Sequence, residues 1–158
     1  MFWIEAEGPG RLSIAARPRA GDWLEDEVSF WRQGGVDIVV SLLEAHEIFD
    51  LDLRREAEVC EAAGMTFLSL PIPDRGVPES LARTRELILA CQTQLLEGKG
   101  VLVHCRAGIG RSSMIAACIL KSKGLAAEAA FALISVARGL TVPDTPGQAQ
   151  WADDFTLG

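Results

Sequence analysis

Val101-Leu102-Val103-His104-Cys105-Arg106-Ala107-Gly108-Ile109-Gly110-Arg111-Ser112-Ser113 is the stretch whose reading decides the fold. It starts as a short apolar strand, Val101 to Val103, and runs into a nearly all-apolar helix predicted over Met114 to Leu120. The loop between them opens with Cys105, closes with Arg111 and carries Gly108 and Gly110. A strand that turns sharply into a helix aims backbone N–H groups and the positive helix end at one point, which favours an anion there. The glycines let the backbone curl closely enough to do so. The same field stabilises a thiolate, which makes Cys105 a nucleophile at neutral pH. Arg111 adds a planar, permanently charged fork able to hold two oxygens of one phosphate. Together these groups suit a phosphate monoester.

The segment His104-Cys105-Arg106-Ala107-Gly108-Ile109-Gly110-Arg111-Ser112 resembles the signature of the cysteine-dependent protein tyrosine phosphatase superfamily, His-Cys-x-x-Gly-x-x-Arg-Ser/Thr. Short chains that carry it near two thirds of their length resemble the compact dual-specificity phosphatases. A chance match to five fixed residue types is rarer than about one per hundred thousand positions at average residue usage. No Gly-Lys-Ser/Thr follows the glycines, so the loop is not the nucleotide-binding one. The resemblance covers roughly Val36 to Phe155.

The chain has 158 residues, which suits one domain spanning 1–158 with a sizeable core. Its 49% hydrophobic and 23% charged residues are ordinary for a soluble globular protein. A formal charge of −7 argues against a broad basic surface for nucleic acid or an acidic membrane, though not against a local positive pocket. The start, Met1-Phe-Trp-Ile-Glu-Ala-Glu, lacks the cationic and apolar regions of a signal peptide, and no apolar run approaches membrane-spanning length. Cys60, Cys91, Cys105 and Cys118 are scattered, which fits a reducing cytoplasm better than a zinc site or a disulfide framework.

Taken in order, Phe2–Ala6 and Leu12–Ala16 flank Gly8-Pro9-Gly10 and predict a hairpin. Asp22 is placed to cap a helix running to Gln33, with Trp23, Val28 and Trp31 available for burial and Gly34-Gly35 as its stop. Val36 to Leu43 reads as a buried strand. Short helices follow around Ala45–Phe49 and Arg54–Ala63, then a strand over Met65–Leu70. Ser80–Glu97 is an amphipathic helix with Leu81, Ile88, Cys91 and Leu95 on one stripe. Beyond the central loop, Gly124 and Gly139 punctuate two helical segments, and Thr145-Pro146 starts a last one. Alternating strands and helices predict an α/β fold: a twisted, mostly parallel central sheet flanked by helices, with ligands beyond the carboxyl ends of the strands. The phosphatase-like fold implied by the resemblance is the same.

The residues divide by role. Cys105 is the expected nucleophile, forming a thiophosphoryl enzyme. Arg111 and the loop positions Arg106, Ala107, Gly108, Ile109 and Gly110 are expected to bind the phosphate. Ser112 matches the motif position whose hydroxyl donates to the sulfur and eases departure of the thiolate. The resemblance gives His104 a supporting role: holding the loop and helping to keep the thiol ionised. The leaving oxygen needs a proton, and Pro71-Ile-Pro-Asp-Arg-Gly-Val-Pro78 supplies Asp74. Pro-Asp-x-Gly is ordinary turn chemistry, but this turn leaves a strand at the same end of the sheet and resembles the acid loop of compact phosphatases. Asp50 and Asp52 precede the wrong strand, and Asp144 comes late in the chain. The larger tyrosine-specific enzymes carry Gln-Thr-x-x-Gln to position water; here Asp144 replaces the first glutamine and only Gln148 matches, while Thr145-Pro-Gly-Gln148 equally makes a helix cap.

These assignments predict a phosphoprotein phosphatase acting on phosphotyrosine, with phosphoserine and phosphothreonine admitted if the pocket is shallow. The loop Arg-Ala-Gly-Ile-Gly resembles tyrosine phosphatases more than lipid phosphatases, whose loops tend to carry two lysines. Arg75 and Arg106 flank the site and favour acidic peptides. A phosphatase of a non-protein ester, a cysteine-loop sulfur or arsenate transferase, and a phosphate-binding pseudoenzyme are the alternatives. Thiolate, arginine and aspartate fill every role, so neither metal nor organic cofactor is expected, and nucleic acid and membrane are not expected partners.

Overall fold

A computed structural model describes residues 1–158. Its centre is a five-stranded sheet in the order β1-β2-β5-β3-β4. The strands are β1 (Phe2–Ile4), β2 (Arg11–Ala15), β3 (Ile38–Ser41), β4 (Thr66–Ser69) and β5 (Gly100–His104). β1 and β2 form the expected antiparallel hairpin; β2, β5, β3 and β4 run parallel. The helices are α1 (Leu24–Gln33), α2 (Ala45–Asp50), α3 (Glu56–Ala62), α4 (Leu81–Leu96), α5 (Arg111–Ser122), α6 (Ala127–Arg138) and α7 (Pro146–Asp154).

The central parallel strands β3 and β5 are buried on both faces because helices cover both, whereas the edge strand β4 is partly exposed. On β5, Val101 and Val103 join a 27-residue cluster built with α4, α5 and α6. Leu102, between them, joins a 12-residue cluster with Val28 and Trp31 of α1 and Cys60 of α3. The period-two alternation of a strand thus splits one apolar run between two cores. Burial pushes the thiols of Cys60, Cys91 and Cys118 up to about 12, in keeping with core roles.

Three local expectations are corrected. α5 starts at Arg111, three residues before the predicted Met114. Arg111, Ser112 and Ser113 look like loop by polarity, yet they form a buried first turn: Ser112 Oγ meets Cys105 Sγ, Arg111 reaches Glu47 and the Ile72 carbonyl, and Ser113 Oγ has no partner. Asp22 caps nothing: a 3-10 turn over Gly21–Trp23 leads directly into α1. Trp23 is exposed under the Arg19 guanidinium, 4.4 Å from its ring centroid, and Leu81, first residue of α4, also faces solvent. End positions of helices see the rim of the core, so periodicity alone overstates their burial.

Register places the site. Ala15 of β2 and Ser41 of β3 both pair with His104, and Ser41 also pairs with Ser69 of β4. The segments leaving four parallel strands therefore emerge together at one edge, where open α/β sheets bind ligands.

Candidate active site

The loop after β5 owes its shape to ties on its outer face. The Cys105 carbonyl faces His104 Nδ1 at 3.2 Å. The Arg106 carbonyl accepts the Arg17 N–H at 3.2 Å. Arg138, at the end of α6, donates to the carbonyls of Gly108 at 3.0 Å and Ala107 at 3.3 Å, with its guanidinium stacked 4.4 Å over the Phe2 ring. A trans peptide sets its C=O and N–H in opposite directions. Four consecutive carbonyls held outward therefore turn the N–H groups of Arg106, Ala107, Gly108 and Ile109 toward the loop's interior, a nest for an anion. Two glycines are required by space. Gly108 has φ +71, and a Cβ there would lie 2.6 Å from the Ala15 carbonyl carbon; a Cβ on Gly110 would lie 2.8 Å from Asp144 Cβ.

Cys105 is 3% exposed, with its Sγ 3.3 Å from Ser112 Oγ on the first turn of α5. A hydroxyl at that position donates to a thiolate. Arg111, next to it, is 2% exposed and held by acceptors from two directions. Its two terminal nitrogens each donate at 2.8 Å to Glu47 of α2, and Nη1 also donates to the Ile72 carbonyl at 2.9 Å. Burial by itself would push the Glu47 carboxyl up; the Arg111 hydrogen bonds, the Glu44 N–H and the guanidinium charge outweigh it and hold Glu47 below the usual carboxylate value. Burial likewise works against the Arg111 charge, but the bonds to Glu47 and the nearby anionic groups raise its value further.

Asp74 also reaches Arg111, Oδ1 to Nη2 at 3.2 Å, with its side chain 60% exposed where it lines the cavity. The Asp74 loop is pinned in place. Arg75 pairs with Asp144 at 2.9 Å, and the buried Gln148 amide donates to the Gly76 carbonyl at 3.1 Å while its oxygen accepts the Asp144 N–H at 3.2 Å. Gln148 N–H donates to Thr145 Oγ1, the expected helix cap. Thr145 is thus the cap, and the Gln148 side chain, instead of closing the capping box on the Thr145 N–H, bridges α7 to the Asp74 loop. Asp144, discounted for its late position, comes back to the rim.

Cys105, Arg106, Ala107, Ile109, Gly110, Arg111, Asp74, Arg75 and Asp144 line one cavity of about 240 Å³. A larger hollow of about 480 Å³ beside Phe30 and Trp31 contains no nucleophile. Chemistry rather than size selects the smaller one. His104 is fully buried behind the loop, its Nε2 2.6 Å from Oε2 of the buried Glu56 of α3. No group of three or more His, Cys, Asp or Glu side chains is arranged to hold a metal.

Glu47, Glu56 and Arg138 were missed on sequence. Each belongs to an amphipathic helix in which one charged residue among several looks solvated. The only available signal was that a buried motif arginine and histidine must have partners somewhere.

Residues 15–125 match the family model described as a polymorphic toxin system DSP-PTPase phosphatase. The dual specificity protein phosphatase 22-B of Danio rerio is 32% identical over 95 residues, 60% of this chain and 51% of that protein, so the chain spans about half of that relative's length. The kinase associated phosphatase, solved with serine in place of its catalytic cysteine, superposes with a TM-score of 0.86 at 20% identity, covering 96% of this chain and 90% of that one. Tk-PTP in its active form gives 0.73 at 30% identity, with 89% and 88% covered. The match over most of the chain, together with a loop built around Cys105 and Arg111, means that this protein belongs to the DSP-PTPase phosphatase family.

Proposed function

We propose that the chain hydrolyses phosphorylated protein side chains through a cysteinyl-phosphate intermediate. The observation that carries this reading is the convergence of Cys105, Arg111 and Asp74 on one cavity, with Ser112 Oγ 3.3 Å from the sulfur. The phosphate seats its equatorial oxygens on the loop N–H groups and on Arg111, taking the place of the Asp74 contact on Nη2. The Cys105 thiolate attacks phosphorus; the S–P bond forms as the P–O bond to the substrate breaks, and Asp74 gives the leaving oxygen its proton. Water then attacks phosphorus as Asp74 takes its proton. The S–P bond breaks, and the Ser112 hydroxyl stabilises the departing thiolate. Protons and charge balance over the two steps, so the residues need no metal.

Phosphotyrosine is the expected substrate, with phosphothreonine and phosphoserine admitted only if the pocket is shallow. The rim cations Arg75 and Arg106 favour an acidic surrounding sequence. The test is phosphate release from matched phosphotyrosine and phosphothreonine peptides, with Cys105→Ser as the blank. Release from phosphotyrosine alone identifies a tyrosine-selective enzyme, and comparable rates identify a dual-specificity one. Release from neither moves the reading to a non-protein phosphate ester or to a cysteine-loop transferase.

A further inference from the structure

The hollow of about 480 Å³ beside α1 shares a wall with the catalytic loop. Ala15 and Ala16 line it, and the same stretch of backbone lies against the loop. A Cβ on Gly108 would meet the Ala15 carbonyl carbon at 2.6 Å, and the Arg17 N–H donates to the Arg106 carbonyl at 3.2 Å. Arg106 lines the phosphate cavity, so only this seam separates the two hollows. From α1 come Asp26 and Phe30, four positions apart and therefore on one helix face. Three Trp or Phe rings are exposed, and two are covered from within the chain: Arg19 lies 4.4 Å over Trp23 and Arg54 lies 5.4 Å over Phe49. Phe30, 61% exposed, has neither a cation nor another ring against it. Asp26 is left over in the same way. Its neighbour Glu25 pairs with Arg55 at 3.5 Å, and Glu27 accepts from the Arg19 backbone and guanidinium and faces the Met1 amine. Asp26 has no hydrogen bond or ion pair, only the positive end of its own helix.

We propose that this hollow is a subsite for a basic side chain of the substrate, an arginine or lysine a few residues from the phosphorylated one, with its charge shared between the Asp26 carboxylate and the open face of Phe30. This rests on the reading of the chain as a phosphoprotein phosphatase, because the phosphorylated residue is what brings the polypeptide to the shared wall. The apolar stem of such a side chain fits against Phe2 and Trp31, which also line the hollow, while its head reaches the ring and the carboxylate. A purely apolar side chain would fill the space but leave Asp26 without a cation, and an acidic one would meet it as a like charge. The rim arginines act on the immediate surroundings of the phosphate; the subsite adds a basic preference further along the substrate.

The test is kcat/KM of the whole protein for phosphotyrosine peptides built on alanine with a single arginine, moved through positions two to six on either side, about 7–22 Å of extended chain. One position should raise kcat/KM about 3- to 20-fold over alanine, the combined worth of an exposed cation–π contact and an exposed ion pair. Leucine at that position should give little of the gain. Asp26→Asn and Phe30→Ala should each reduce the arginine advantage to about twofold or less. Both residues are exposed and lie outside the phosphate cavity, so both variants should hydrolyse para-nitrophenyl phosphate, which is too short to reach the hollow, at the wild-type rate. If one variant loses that hydrolysis the other decides, and loss in both overturns the proposal. No favoured position, a gain from leucine equal to that from arginine, or an advantage that survives both substitutions also overturns it. Hydrolysis of para-nitrophenyl phosphate but of no peptide overturns the subsite and leaves a phosphatase of another ester. Hydrolysis of neither ends the phosphatase reading, and the subsite with it.

Discussion

Arg111 and Glu47 meet as a buried two-pronged ion pair, both bonds 2.8 Å long, between the first turn of the loop helix and a six-residue helix 64 positions earlier. The pair fixes the plane of the guanidinium before any phosphate arrives, so the ligand is not asked to order a long side chain. Removing the carboxylate leaves a buried cation with only the Ile72 carbonyl and the exposed Asp74. Glu47→Ala is expected to lower stability by about 3 kcal/mol, typical of breaking one side of a buried pair. It should also raise the dissociation constant for inorganic phosphate. Urea unfolding and phosphate titration check both, and an unchanged phosphate affinity would refute the positioning role.

The same pair sets an acid limit. Glu47 is held below its ordinary value of 4.5, so the unfolded chain takes up this proton first as pH falls. The contribution is fully present above about 4.5 and is lost as pH drops through the lowered folded value. Between about pH 5 and 3 the wild-type protein should lose stability more steeply than Glu47→Gln, which has no proton to bind there. Parallel curves of unfolding midpoint against pH would count against it.

Asp74 lines the cavity, where a leaving oxygen would emerge. Asp74→Asn should reduce turnover by about 10²- to 10⁴-fold for alkyl and tyrosyl phosphates, and much less for an activated aryl ester. Rate measurements on a series of esters of graded leaving-group acidity provide the check. A loss equal across the series would remove Asp74 as the acid.

Only one thiol should react in the folded protein. Cys60, Cys91 and Cys118 are buried, and burial pushes each up to about 12. Cys105 opens onto the cavity. Brief iodoacetamide treatment near neutral pH should add one alkyl group by intact mass, blocked by inorganic phosphate, against four in denaturant. Modification of a different cysteine first would contradict the assignment.

The two ties on the Asp74 loop should differ in weight. The Arg75–Asp144 pair is solvent-screened, with side chains 61% and 38% exposed, so Arg75→Ala should change stability by no more than about 0.5 kcal/mol. Gln148 is fully buried and serves Gly76 and Asp144 at once. Gln148→Ala leaves those backbone groups unpaired and should cost about 1–3 kcal/mol. Thermal unfolding of the two variants distinguishes them; equal effects would show that the buried bridge does not hold the loop.

The sequence by itself determined the sheet-and-helix alternation, the Cys105–Arg111 loop and its neighbour Ser112, because these depend on periodicity and on residues a few positions apart. It also led Asp74 to the cavity, since a proline-bounded turn after a predicted strand has only one place to go in a parallel sheet. The helix start at Arg111 was missed because polarity was taken for exposure. Only the tertiary structure decided that Glu47 would hold Arg111, that Glu56 would hold His104, that Arg138 would reach back 30 residues to the loop carbonyls, and that Asp144 and Gln148 would tie down the Asp74 loop. The physical reason is common to all of them. A charged residue on a short helix has the same local pattern whether it faces water or a buried partner, and which it faces is fixed by the register that brings the strand ends to one edge.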